Sequence, residues 1–392
     1  MKNRLKISTI LYITAFILFV MILGSLSSYK LMRYYIDDEI SASGFVPGNG
    51  SKLDTDIANN FFAQFSFVNI NGFMARITGE RELNSVVKMD NGYLNVVTAH
   101  ADDDALLHDT GQIAALNDHL TKEGIFFIYI IPTTTSSKFD PKMPGYFTDH
   151  SNENLDRLGE LLRDQGVYVI DMRDELEEDG IDSYEMMYKT DHHWTTDMGF
   201  YTYCKLADIL ERELGCTIDP NIRHIDNYRV ETYKDWHLGS RGQRTGKFFA
   251  GIDDFNMYLP SFDADLVTAD GEKEGTYTDL LVNVRPLEKK NLKFMRDDIN
   301  KRSIYDRVLE SSQGDYINKL SQNDKHVLII GDSFTKAIFP FMDISFERTR
   351  WDYGPTSKEV FEEVQPDTVI MLYEGSGGLP EGIIEYEWAL SE

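Results

Sequence analysis

The chain has 392 residues, room for one large or two medium domains, and its 42% hydrophobic and 27% charged content is ordinary for a globular protein. Its net charge of -26 is not ordinary, and it is unevenly placed: residues 1–35 hold Lys2, Arg4, Lys6, Lys30 and Arg33 and no acid, leaving 34 basic against 65 acidic residues downstream. A body that acidic repels nucleic acid and anionic membrane surfaces, which excludes a nucleic-acid partner and favours neutral glycans or cationic partners.

The predicted elements begin with Ile7 to Leu26, an apolar run with no charge between Lys6 and Lys30. About 20 such residues span a bilayer core as a helix. Lys2, Arg4 and Lys6 precede it, so the expectation is a single-pass anchor over residues 1–29 with a cytoplasmic N-terminus and an exported body. The small, polar Ser25 to Ser28 leaves signal cleavage as the alternative. Residues 30–76 read as a juxtamembrane stalk: Ser41 to Asp56 is rich in Gly, Ser and Pro, and Asn59 to Phe67 is aromatic.

From residue 77 to 392 the chain alternates strand and helix signals. Asp90-Asn91-Gly92-Tyr93 predicts a hairpin turn. Helices are expected over Thr110 to Glu123, Asn152 to Gln165 and Thr196 to Leu214, each followed by a glycine. Strands are expected at Phe126 to Ile131, Val167 to Ile170, Val327 to Ile330, Phe346 to Trp351 and Thr368 to Leu372. Continuous apolar strands separated by amphipathic helices predict an α/β domain with a parallel sheet covered on both faces. The aromatic, polar stretch 216–300 breaks this rhythm and reads as a loop-rich insertion beside the site. Cys204 and Cys216, the only cysteines, form no CxxC or Cys/His cluster, which excludes a zinc finger or thioredoxin-type site and leaves their pairing open.

Two strings carry chemistry. Val327 to Phe334 is a strand that ends in Gly331-Asp332-Ser333 with a helix expected at once. Open parallel sheets place active sites at the carboxyl ends of their strands. Ser333 there is a candidate nucleophile, with its own N–H and a helix dipole available to an oxyanion and Gly331 permitting a sharp turn. The same residues would also serve as a helix cap. In Asp191-His192-His193-Trp194, Asp191 and His193 are two apart and share a face of an extended segment. Asp191 would orient His193, and His193 would activate a serine hydroxyl, which is a poor nucleophile unaided. His192 would point the other way, and Trp194 would either shield the imidazole or fill the core. An Asp-His-His string also suits a divalent metal in a phosphoesterase, which needs further aspartates such as Asp102 to Asp104 or Asp253-Asp254. The expectation is that no metal and no cofactor is used.

Together, the Asp191 to Trp194 block and the Gly331 to Phe334 block resemble the DHHW family, which is similar to the alginate O-acetylation proteins with an SGNH hydrolase-like domain. Asn91 to Leu94, Ile130-Ile131-Pro132, Leu238 to Ser240 with Arg244 to Gly246, and Gln365 to Ile370 add softer agreement over roughly residues 77–380. The resemblance implies an SGNH-hydrolase-like, flavodoxin-like sheet flanked by helices. It implies an extracytoplasmic O-acetyltransferase acting on an exported or cell-surface polysaccharide through an acyl-serine. It also implies a membrane-bound O-acyltransferase partner that supplies acetyl groups.

The chain departs from the family in two places. No Arg follows Tyr373-Glu374, and the Asn and Gly blocks that give SGNH hydrolases their oxyanion donors have no match. The second donor is therefore sought near Thr133 to Thr135 or Gly375 to Gly378, with Gly331, Asp332, Trp194, Arg241 and Arg244 as further oxyanion or substrate contacts. A carbohydrate acetylesterase with the same triad, and a catalytically silent glycan-binding or assembly protein, are the competing readings.

Overall fold

A computed structural model of the chain describes residues 2–34, 61, 63–287, 303–309, 314–354, 356–379, 382 and 384–390. The stalk expectation for Ser41 to Asp56, positions 59, 60 and 62 of the aromatic stretch 59–67, and the end of the 216–300 insertion from residue 288 lie outside the described residues. The chain divides into two units, residues 1–71 and 72–392.

In the first unit, the helix Lys2–Tyr34 contains Thr9–Lys30, a 22-residue span of mean hydropathy 2.4 with none of its surface buried. That is long and apolar enough to cross a membrane, a property that signal sequences share.

In the second unit, β1 (Glu82–Leu83), β2 (Val86–Lys88) and β3 (Leu94–Asn95) form a small antiparallel sheet. The expected hairpin turn joins the last two: Met89 N–H donates to the Tyr93 carbonyl at 2.8 Å, with Gly92 at positive φ. The main sheet follows with β4 (Phe126–Ile131) and β5 (Tyr168–Asp171). Next come β6 (Tyr228–His237) and β7 (Asp253–Pro260), a separate antiparallel ribbon. Then come β8 (Leu266–Thr268), β9 (Glu274–Gly275), β10 (Asp315–Asn318), β11 (His326–Gly331), β12 (Arg348–Asp352) and β13 (Thr368–Leu372). The main sheet has eight strands in the order β5-β4-β13-β11-β12-β10-β8-β9. The first five are mutually parallel.

Both faces of the parallel part are buried, which is why its strands read as unbroken apolar runs rather than alternating ones. Alternate side chains serve two cores. Ile128, Ile130, Val327, Ile329, Ile370 and Leu372 pack with Leu206 and Leu210 of the helix Thr196–Leu214. Phe127, Tyr129, Ile131, Leu328, Ile330 and Met371 pack on the opposite face. There they meet Leu116 and Leu120 of the helix Asp103–Lys122, and Leu158 and Leu162 of the helix Ser151–Asp164.

The expected parallel sheet is present, and β8, β9 and β10 extend it in antiparallel fashion past β12. The stretch 216–300 is accordingly not merely loops: it supplies the ribbon β6–β7 and two strands of the main sheet. The segment after β11 is a five-residue 3-10 turn, Ser333–Ala337, followed by the short helix Phe339–Asp343. A turn that short has little aligned dipole, so the helix-dipole contribution expected at Ser333 is lost. Cys204 and Cys216 are both free, partly buried thiols.

Candidate active site

β11 lies between β12 and β13, with β4 beyond β13, so the carboxyl ends of β4, β13 and β11 open on one side of the sheet. Ser333 emerges two residues past the end of β11 and is partly exposed. Its Oγ is 2.7 Å from His193 Nε2, although the two residues are 140 apart in sequence.

Residues 189–193 bend rather than run extended, with an isolated bridge between Met187 and Trp194 closing the loop. The every-second-residue rule therefore does not govern this segment, yet it brings Asp191 to His193: Oδ2 lies 3.4 Å from Nδ1. That is a contact distance rather than a well-formed hydrogen bond. His192 does not point away. Its ring lies 3.8 Å from that of His193, and its Nδ1 is 3.0 Å from Ser240 Oγ.

His193 is 5% exposed, with the Tyr305 ring stacked 4.7 Å away and Phe334 packed at 5.4 Å. Burial pushes its imidazole below the ordinary histidine value, against the opposing pull of Asp191. Burial alone would raise the Asp191 carboxyl, but its polar contacts with His192, His193 and His237 outweigh it and hold the group well below the usual carboxylate range. The pair is therefore an ionised carboxylate beside a neutral imidazole near neutral pH.

Asp191 is gripped from the segment 237–240. Ser240 Oγ donates to Oδ1 at 2.9 Å, His192 N–H to Oδ1 at 2.8 Å, and His237 Nε2 lies 3.1 Å from Oδ2. Gly239 passes so close that a Cβ there would stand 2.2 Å from the Asp191 Cβ. Sequence reasoning missed His237 and misplaced His192. The available signal for His237 was its position immediately before Leu238-Gly239-Ser240.

Three of the expected oxyanion or substrate contacts are scaffold instead. Gly331 is needed for close approach rather than for a turn, since a Cβ would meet the Leu372 carbonyl of β13 at 2.4 Å. Its own carbonyl accepts from the Trp351 indole at 2.8 Å. Asp332 accepts from Phe334 N–H at 2.9 Å and Glu374 N–H at 2.7 Å, stapling the end of β11 to the end of β13. Burial pushes its carboxyl up to about 6. Trp194 is fully buried and its indole N–H donates to the Phe334 carbonyl at 2.9 Å, so it has no surface for a substrate. It locks the histidine loop to the serine turn.

Beside the histidines lies a cleft of about 410 Å³ lined by Thr134, Thr135, His192, Arg241, Glu374 and Ser376, among others. Arg241 and Arg244 both line it. Arg241 donates to the Leu94 carbonyl at 2.8 Å and to Thr135 Oγ1; loss of hydration lowers its guanidinium to about 10, so it stays charged at neutral pH. Arg244 donates to the Asn84 carbonyl at 2.8 Å. Both loops suspected of carrying the second oxyanion donor reach this cleft, through Thr134 and Thr135 on one side and Ser376 and Gly377 on the other.

Of the further aspartates that a metal-phosphoesterase reading requires, Asp102 caps the helix Asp103–Lys122, and Asp253 accepts from Lys189 N–H and Thr190 N–H beside the histidine loop.

Residues 93–227 match the family described as SGNH hydrolase-like domain, acetyltransferase AlgX. No curated protein sequence matches the chain. Among solved structures, Bacillus cereus PatB1 with a sulfonyl adduct superposes with a TM-score of 0.58 at 16% identity, covering 78% of this chain and 98% of that one. A DHHW family protein from Eubacterium siraeum gives 0.54 at 16% identity, covering 77% and 95%. The chain thus has the SGNH hydrolase-like α/β fold, and its likeness to the AlgX and DHHW proteins is the one that Asp191 to Trp194 and Gly331 to Phe334 imply.

Proposed function

We propose that the protein is a membrane-anchored, extracytoplasmic O-acetyltransferase that modifies an exported or cell-surface polysaccharide through an acyl-serine. The observation that carries this reading is the 2.7 Å approach of Ser333 Oγ to His193 Nε2 at the mouth of a polar cleft. The match to an acetyltransferase family over the segment that holds Asp191 and His193 supports it.

Ser333 Oγ–H gives its proton to His193 Nε2 as the oxygen attacks the acyl carbonyl, and Asp191 holds the imidazole and stabilises the imidazolium. The Ser333 N–H is one donor to the oxyanion, and the Arg241 cation beside the cleft favours the developing negative charge. Collapse expels the donor's leaving group, which takes the proton from His193. A sugar hydroxyl then enters and gives its proton to His193 as its oxygen attacks the acyl-serine; the Ser333 Oγ–acyl bond breaks, and His193 returns the proton to Ser333 Oγ, leaving the glycan ester and free Ser333. An N-terminal helix that crosses the membrane would keep the domain near a membrane-bound O-acyltransferase that delivers acetyl groups.

The test uses the full chain in detergent with 4-nitrophenyl acetate as donor and a de-O-acetylated cell-surface polysaccharide as acceptor. Acetyl ester appearing on the glycan is expected. Acetate alone, with no ester on any glycan offered, would make the protein an esterase and overturn the transferase reading.

Gly239→Ala probes the grip on the acid. The added methyl must displace Asp191, and a misplacement on the order of 1 Å costs roughly 10²-fold in rate. The expected result is a loss of that size in ester turnover, measured below a melting temperature that itself falls, because the methyl also meets the Asp191 backbone at 2.6 Å. Wild-type turnover would show that the close approach is not needed.

A further inference from the structure

We infer that His237 is a positioning residue of this site, holding Asp191 by a hydrogen bond to the same carboxylate oxygen that faces His193. The inference rests on the serine-relay reading above and adds a member to it.

His237 is a fully buried polar side chain, and its Nε2 lies 3.1 Å from Asp191 Oδ2. An ionised carboxylate can only accept, so Nε2 must carry the proton and donate. Oδ1 is already supplied by His192 N–H, Ser240 Oγ–H and Ser240 N–H. Oδ2 is left to two imidazoles, His237 at 3.1 Å and His193 at 3.4 Å. The shorter contact is the one away from the serine.

The backbone is built to deliver this ring. On β6, Tyr233 pairs with Phe255 and His237 with Asp253, so the ladder shifts register between them. Asp235, inside the shift, has φ 56°, and its N–H donates to Asp254 Oδ1 at 2.9 Å. Bulges of this kind re-aim a side chain. The Tyr188 ring packs 4.2 Å from His237 and fixes its plane.

The consequence is control of the base. A donor on Oδ2 draws off part of the negative charge that would otherwise stabilise the His193 imidazolium. It also keeps the carboxylate from rotating. The charged and titratable groups around the two rings are Asp191, His192, Asp306 with its partner Lys336, Asp253, Tyr188 and Tyr305. His237 is the one among these that donates a side-chain hydrogen bond to Oδ2 at a regular hydrogen-bond distance.

The probe is a sulfonyl fluoride, because its reaction needs only the relay and no known substrate. The Ser333 Oγ–S bond forms, the S–F bond breaks, fluoride leaves, and the hydroxyl proton passes to His193. The rate of Ser333 modification in the full chain is measured against pH for wild type, His237→Phe and His237→Gln. Phenylalanine keeps the ring and removes the donor. Glutamine places an N–H near the position of Nε2. The expected result is a roughly tenfold or greater slowing at neutral pH for His237→Phe, the scale expected when a hydrogen bond to a charged group is lost. Its acid midpoint should move up by about one pH unit, because the opposite charge is freed toward His193. His237→Gln should keep the wild-type midpoint. A purely structural role would lower the amount of folded protein without moving the midpoint. An unchanged midpoint in His237→Phe, or the same shift in both variants, overturns the inference.

A second measurement needs no variant. Nitrogen NMR of histidine-labelled wild type should find the His237 proton on Nε2, and a bare Nε2 overturns the inference. If wild-type Ser333 itself fails to react, the serine-relay reading fails, and the NMR result still decides the hydrogen bond.

Discussion

Ser333→Ala is expected to lower ester turnover by about 10⁶-fold, the scale of loss when the nucleophile of a serine relay is removed. A residual acceleration of roughly 10³ to 10⁴ over the uncatalysed reaction should survive through binding and oxyanion contacts. The fold has no reason to suffer. Ser333 is partly exposed, and the turn that carries it is held by the Asp332 staple and by Tyr305, whose hydroxyl donates to the Ser333 carbonyl at 3.1 Å. Melting temperature and turnover measured on the same preparation separate the two effects. Turnover within tenfold of wild type would remove Ser333 from the mechanism.

Asp191→Asn should cost about 10⁴-fold, with unchanged substrate binding, for a reason legible in the hydrogen bonds. Three donors converge on Oδ1, so the asparagine carbonyl must settle there. The amide nitrogen then takes the place of Oδ2 and presents hydrogens to His193 Nδ1 and His237 Nε2. His193 responds by leaving Nδ1 bare and carrying its proton on Nε2, where it can no longer accept the proton of Ser333. Steady-state kinetics should show the loss in kcat with KM held. A loss confined to KM would assign Asp191 to substrate binding instead.

The framework was legible where one physical signal dominated. Phe126 to Ile131 and Thr368 to Leu372 are continuous apolar runs because both faces of the parallel sheet are covered, and they form strands with those bounds. Thr196 to Leu214 is a helix because Thr195 caps its start, accepting from Met198 N–H, and Gly215 ends it in the left-handed conformation. The antiparallel extension was not legible, since Leu266–Thr268 and Asp315–Asn318 are three and four residues long and partly polar. Such segments become strands only by pairing with one already in place.

The site divides in the same way. Ser333, His193 and Asp191 announced themselves as residue types at strand-end and loop positions, and the chain brings them together. The packing around them depends on contacts between distant segments that no local pattern encodes. Of the two roles open to Trp194, a wall for the imidazole or core filling, the structure has the second, with its indole bonded to Phe334. Gly331 looks like a turn glycine but makes room for the Leu372 carbonyl. His237 reaches Asp191 only because β6 slips against β7 at Asp235. His192 shares the cleft with His193 because residues 189–193 bend instead of extending.

If Ser333 carries the acyl group, mixing the full chain with excess 4-nitrophenyl acetate and quenching in acid within the first turnovers traps it, and peptide mass spectrometry locates it. One acetyl per chain is expected on the peptide containing Ser333, absent from Ser333→Ala and discharged when a glycan acceptor is added before the quench. Turnover without any acetyl on Ser333, or an acetyl that accumulates equally in Ser333→Ala, would contradict that role of Ser333.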